Sequence, residues 1–337
     1  MLDSPSATCF SSSAASKHRV SNYHGYRDAW TLSCSYHELA TQLDNVYPQL
    51  VDFLPWTDAT AELLIYDIKD ISDKYAVEIT PTSPMLAIWW VIFVWQGLWM
   101  VFALINICRK APHGPVYVSP VLLSPTLFLT SALNWGVVLG WSLLFDREYL
   151  WLSFVFLLLT CLSTYICLGL SYRDMAAHRH TLVKEGRRVD VWLVRVFVQN
   201  GLAMYATWCT FATLLNLAAA LAYERDFGIS PRMSSTISLG ILAGELVLFA
   251  ISDWTFLDKY SRYTVSPYLV LIVALTGSVV QNWQSGAANS IFTVVLLVVS
   301  VIAFLVKIGL TILRHIRETD RRKEAVTTLD DNFTFRF

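Results

Sequence analysis

Within residues 197–223 the side chains Gly201, Tyr205, Trp208, Ala212 and Asn216 recur at intervals of three and four. At about 100° per residue they fall on one helix face roughly 80° wide. That face carries two large aromatic rings, two small gaps and one amide. Flat apolar walls with a single orienting polar group suit a planar lipophilic ligand; the same set also suits a helix-packing seam. An amide facing lipid is costly, so Asn216 is expected to point at another helix or into a cavity.

A second candidate is Glu245, between Gly244 and Leu246 near the middle of another apolar run. A carboxyl at the bilayer centre must be paired, protonated or turned to water. It reads either as a ligand anchor or proton-coupled group, or as a structural hydrogen bond within the bundle. Asp253 beside Trp254 reads as an interface residue, and Lys307 as a snorkelling side chain that reaches the surface. The cluster His178-Arg179-His180 with Lys184, Arg187 and Arg188 could meet anionic headgroups or simply fix topology, and it lacks the spacing of a metal site.

Other chemistries find little support. There is no P-loop, no Ser/His/Asp arrangement and no HExxH, so an enzyme is not indicated. The six cysteines form no CxxC pair and suggest neither a metal nor a disulfide framework. A net charge of -1 offers no concentrated basic face for nucleic acid.

The elements that must position these residues follow from hydropathy. The chain is 55% hydrophobic and 15% charged, against about 25% charged in soluble chains. Its 13 Trp and 15 Tyr suit membrane interfaces and inter-helix cavities. Apolar runs approaching about 20 residues predict an all-α, polytopic membrane helix bundle with about seven spans. They lie at 85–108, 121–145, 149–171, 197–223, 236–254, 265–280 and 287–313, the sixth being short. Asp146, Arg147 and Glu148 alone separate the second and third, which forces an antiparallel hairpin.

Residues 1–44 are Ser-rich and expected to be disordered, and 45–84, with helical spacing at Leu63, Ile68 and Ile71, to form an extramembrane cap or interfacial segment. Four spans then occupy 85–223, three more 235–313, and a charged tail 314–337. Lys and Arg concentrate in alternate loops and in the tail, which predicts a cytoplasmic C-terminus and, with seven spans, an outside N-terminus.

The run Tyr205-Ala-Thr-Trp208-Cys-Thr210-Phe211-Ala212-Thr213-Leu-Leu215-Asn216 closely resembles the last-helix signature of the TspO family, the tryptophan-rich sensory proteins that include the translocator protein. That signature is Y-x-x-W-x-[ST]-F-A-T-x-L-N, and eight specified positions match without a gap. Pro81, Ile88, Trp89, Phe93 and Gly97 resemble a second family motif, a proline followed by V-W-x-x-L-Y-x-x-x-G, with Ser83 and Met85 where the family has Trp and Phe. Ala132-Leu133-Asn134 is similar to its A-L-N, and Trp141-Ser142-Leu-Leu-Phe145 to its W-S-P-L-F. The family's Trp follows its Asn by three residues, where Val137 stands here.

The resemblance covers 81–223, four spans that look like helices two to five of a five-helix bundle. The family's first helix is not evident, and the three spans after Ser235 are an addition. The resemblance implies binding, and transport or sensing, of a porphyrin- or sterol-like molecule. Trp89, Phe93, Trp141, Tyr205 and Trp208 would supply planar walls, Ala212 a gap, and Asn134 and Asn216 the orienting amides. The implied partners are the lipid bilayer and a lipophilic small molecule, and a homo-oligomer is left open.

Two other readings stand beside it. A seven-helix receptor is suggested only by span count and orientation, since Tyr172-Arg173-Asp174 scrambles the receptor triplet and Asn289-Ser-Ile-Phe lacks N-P-x-x-Y. An assembly protein without a small ligand would use every aromatic stripe for packing.

Overall fold

Among the described residues six helices are long and apolar enough to cross a membrane, and a seventh, Ser266–Asn282, is apolar but shorter. The computed structural model describes residues 68–82, 85, 87–111, 114–117, 121–224 and 227–334, with side chains as far as Asp320. The expected disordered tail at 1–44 and the Leu63 turn of the cap segment lie outside the described residues. The elements are α1 (Ile68–Lys74), α2 (Ile88–Cys108), a two-residue hairpin of β1 (Lys110–Ala111) and β2 (Gly114–Pro115), α3 (Pro125–Asp146), α4 (Leu150–Lys184), α5 (Arg188–Tyr223), α6 (Pro231–Trp254), α7 (Asp258–Ser261), α8 (Ser266–Asn282) and α9 (Ala288–Thr334). The protein is an all-α polytopic helix bundle of the kind that spans membranes.

Local chemistry sets the helix ends. The second span starts at Pro125, four residues later than its hydropathy suggests, because the Ser124 hydroxyl accepts from the Leu127 N–H and Pro125 fills a first-turn position that needs no donor. Ser230, Pro231 and Met233 repeat the device in α6. α4 outruns its predicted span and continues to Lys184, where Gly186 takes the left-handed conformation (φ 76°) and Arg187 N–H bonds back to the Leu182 carbonyl at 2.8 Å. α9 likewise continues unbroken through the charged segment to Thr334.

The α3–α4 hairpin closes with the same motif on a less usual residue. Glu148 sits at φ 63°, with Glu148 N–H bonded to the Phe145 carbonyl and Tyr149 N–H to the Leu144 carbonyl, both at 3.0 Å. A residue with a Cβ holds that conformation at a cost of about 1–2 kcal/mol. The side chain offsets it by accepting from Lys74 Nζ at 2.5 Å and from the Tyr75 hydroxyl at 2.8 Å, which fastens α1 to the hairpin.

α5 is the central element, packed against α2, α4, α6 and α8. Its stretch Val194–Gln199 is π-helical, so some backbone carbonyls leave the regular ladder. α2 meets two of them, since Trp95 Nε1 donates to the Val196 and Phe197 carbonyls, both at 3.2 Å. Gln96 Nε2 donates to the Gly201 carbonyl at 2.9 Å. A Cβ at Gly201 would stand 2.5 Å from the Trp95 ring, so only glycine allows this approach.

Two sequence expectations are overturned at the other end of α6. Asp253 is not an interface residue and Lys307 does not snorkel: they are 0% and 2% exposed and form an ion pair at 2.7 Å. The Ser261 hydroxyl and the Tyr268 hydroxyl also donate to the Asp253 carboxylate, and Lys307 donates a second bond to the Ser261 carbonyl at 3.1 Å. The physical reason is that α9 packs on α6 and α8 at this level. Lys307 therefore has no route to the surface, and the acid takes the place of water.

Candidate functional site

The face anticipated on α5 is turned inward against α2 and α3. Tyr205, Trp208, Ala212 and Asn216 are all buried there. Trp89, on the first turn of α2, is the hub of the resulting aromatic cluster. Its ring lies 5.7 Å from Trp141 in a stacked arrangement, 5.9 Å from Trp208 edge-on, 6.4 Å from Tyr205 and 5.5 Å from Phe93. Both small residues of the face are used, Gly201 under Trp95 and Ala212 in the packing around Trp141.

Asn216 points at this cluster. Its Oδ1 accepts from Trp141 Nε1 at 3.3 Å, and its Nδ2 returns to the Ala212 carbonyl at 3.1 Å. The Trp208 indole N–H, by contrast, is buried without a hydrogen-bond partner among the described residues. Most buried donors are satisfied, so such groups mark a place where something else completes the pairing.

A recess opens on these residues, walled by Trp89, Trp141, Phe145, Trp208, Ala212 and Asn216, with Ser72, Tyr75, Val77 and Thr80 across its rim. The cavity proper is about 60 Å³, below the range of about 300–1,000 Å³ common for small-molecule sites, so a larger guest has to displace the rim side chains.

The rim is held by the added helices. Glu78 N–H donates to Ser235 Oγ in α6 and Asn289 Nδ2 of α9 donates to Glu78 Oε2. Asn282 Nδ2 of α8 donates to the Thr80 carbonyl at 2.7 Å, and Thr82 N–H to the Gly277 carbonyl at 3.3 Å. Tyr223 at the end of α5 donates to the Ala76 carbonyl. α6, α8 and α9 therefore do structural work at the recess without lining it.

The rim also carries a titratable contact. Hydrogen bonds from Lys74 and then Tyr75 hold the Glu148 carboxyl below its usual value. A depressed carboxyl contributes stability above its unfolded value of 4.5, and that contribution disappears as pH falls through the lower folded value. Protection of residues 68–82 against hydrogen exchange, taken relative to the intrinsic rate at each pH, should accordingly fall below about pH 4.5, whereas in Glu148→Gln it should stay level across that pH. Equal pH profiles for the two proteins would refute the assignment.

Not every anticipated residue joins the site. Asn134 turns away, donating to the Thr160 carbonyl, Ser163 Oγ and Thr164 Oγ1 at 2.7–2.9 Å, and so staples α3 to α4. Glu245 lies on the opposite side of α5, in a groove lined by Tyr165, Thr210, Leu242, Phe249 and Tyr268. Among the described residues it has no hydrogen-bond or ion-pair partner, so its expected structural hydrogen bond is not present there.

Trp135 joins the cluster without having been singled out. It stacks on Tyr205 at 6.1 Å and meets Phe93 at 5.7 Å.

Among the described residues no group of three or more His, Cys, Asp or Glu side chains could hold a metal ion. No curated protein and no solved structure matches the chain. A family model described as TSPO-like protein matches residues 56–308, well over half of its length and extending through the added helices. With the aromatic signature of α5 facing α2 and α3 as described, the chain belongs to the TSPO-like protein family.

Proposed function

We propose that this membrane protein binds a flat lipophilic molecule of the porphyrin or sterol class in the recess between α2, α3 and α5. The observation that carries the reading is the Trp208 N–H, buried among aromatic rings and unpaired among the described residues. Planar aromatic walls favour a planar guest through stacking and dispersion, and a guest carbonyl, carboxylate or hydroxyl oxygen would accept the free proton. Asn216 is the second polar contact. The rim residues Ser72–Thr80 cover the guest, and their tethering to α6, α8 and α9 couples occupancy to the added helices, which suits sensing as readily as transport. By the Lys and Arg distribution, the recess opens at the end away from the cytoplasm.

The test is intrinsic tryptophan quenching of the detergent-purified protein, titrated separately with protoporphyrin and with a fluorescent sterol. Trp208→Phe keeps an aromatic ring of smaller volume and removes the donor, and Asn216→Leu removes the amide. Saturable quenching is expected for one ligand class, weakened about fivefold to tenfold in either variant. Unsaturable quenching, or variants that bind like the parent, would leave the stripe as packing.

A further inference from the structure

A second recess lies at the opposite end of the bundle, where α4 ends, α5 begins and α9 leaves the apolar region. It is lined by Arg179, Arg188, Trp192, Arg195, Tyr263, His315 and Glu318, with about 610 Å³ of free space including its mouth. Its one carboxylate is already engaged: Glu318 receives Arg179 at 3.2 Å and Arg262 at 2.8 Å. His315 Nδ1 is shared with the Tyr263 hydroxyl at 2.9 Å. Among the described residues, Arg188 and Arg195 meet no carboxylate.

Arg195 is the informative residue. It sits in the π-helical turn and its guanidinium packs against an edge-on pair of rings, 4.2 Å from Tyr263 and 5.0 Å from Trp192, whose own centroids are 4.9 Å apart. Asn200 fixes that geometry by donating to both the Arg195 and Tyr263 carbonyls. Contact with aromatic rings holds a guanidinium in place without consuming its N–H groups, which stay free for a planar or tetrahedral oxyanion. A half-buried cation without a counter-ion is unfavourable, and a bound anion removes the penalty. Two unpaired arginines match the charge of a phosphomonoester dianion better than the single charge of a diester.

We propose that this basin binds a phosphomonoester group, presented by a lipid headgroup of the adjoining leaflet or by a soluble phosphate. Arg188 and Arg195 supply the charge, and Trp192 and Tyr263 orient the second of them.

The experiment uses the full chain in nanodiscs of phosphatidylcholine, with or without a few per cent of phosphatidylinositol 4-phosphate, read by native mass spectrometry. A parallel arm measures thermal stabilisation of phosphatidylcholine discs by inorganic phosphate. Arg188→Gln, at an exposed position, retains the fold; Arg195→Gln tests the stacked cation; Lys259→Gln, exposed at the same end, is the control. Retention of the phosphoinositide should drop about fivefold for each arginine removed and be unchanged in the control. Phosphate stabilisation without lipid retention, lost in the same variants, would support the site with a soluble source. Binding of neither, or equal losses in Arg188→Gln and Lys259→Gln, would overturn the proposal.

Discussion

Replacing Lys307 with Met should lower the unfolding free energy in detergent by about 3–5 kcal/mol, one of the two largest effects expected of any single substitution here. The variant leaves the Asp253 carboxylate buried with only the Ser261 and Tyr268 hydroxyls to stabilise it. Met fills most of the lysine volume, so the loss reads electrostatics rather than a cavity. Adding Asp253→Leu to Lys307→Met should restore most of the stability, because replacing both members of a buried pair removes the desolvation penalty together with the attraction. Denaturant unfolding followed by tryptophan fluorescence measures all three. A single variant as stable as the parent, or a double variant no better than the single, would mean that the pair does not hold α6, α8 and α9 together.

Trp208→Ala is the second. The ring is 1% exposed and touches Trp89 and Phe211, and truncating such a side chain costs about 3–5 kcal/mol through lost contacts and the cavity left behind. Because the cavity would merge with the recess, the variant should regain stability from any apolar guest that fills it. Melting with and without indole tests both halves of the statement. A variant that melts like the parent would show that the cluster relaxes around the gap, and one that indole fails to rescue would show that the gap does not connect to the recess. This is also why the gentler Trp208→Phe is the right probe of binding.

These energies attach to residues that were unequally visible in the sequence. The α5 face was legible because helix periodicity is local: five residues at three- and four-residue intervals share a side whatever surrounds them. The antiparallel hairpin at Asp146–Glu148 was legible for the same reason, since three residues leave the chain no other path. Lys307 was not. Whether a lysine two turns inside a span reaches water or meets an acid depends on which helix covers it, and Asp253 lies 54 residues away. Asn134 failed likewise: its partners Thr160, Ser163 and Thr164 form a polar stripe on α4 that reads as ordinary span sequence until the two helices are side by side. The π-helical turn at Val194–Gln199 has no composition of its own, and the Trp95 donor that meets its carbonyls lies on α2, about a hundred residues earlier.

α5 also bears on how the protein is made. Of the six long helices it has the lowest hydropathy, and 78% of its apolar window is buried, against 28–39% in the others. Lipid scarcely touches it, so its Thr, Asn and Cys side chains carry no penalty in the finished bundle. During synthesis the same polarity makes it the weakest substrate for partitioning from the translocon into lipid. α2, α3 and α4 emerge first and present the donors and aromatic surfaces that α5 lacks a substitute for. Co-translational insertion of this helix therefore depends on the company already in the membrane.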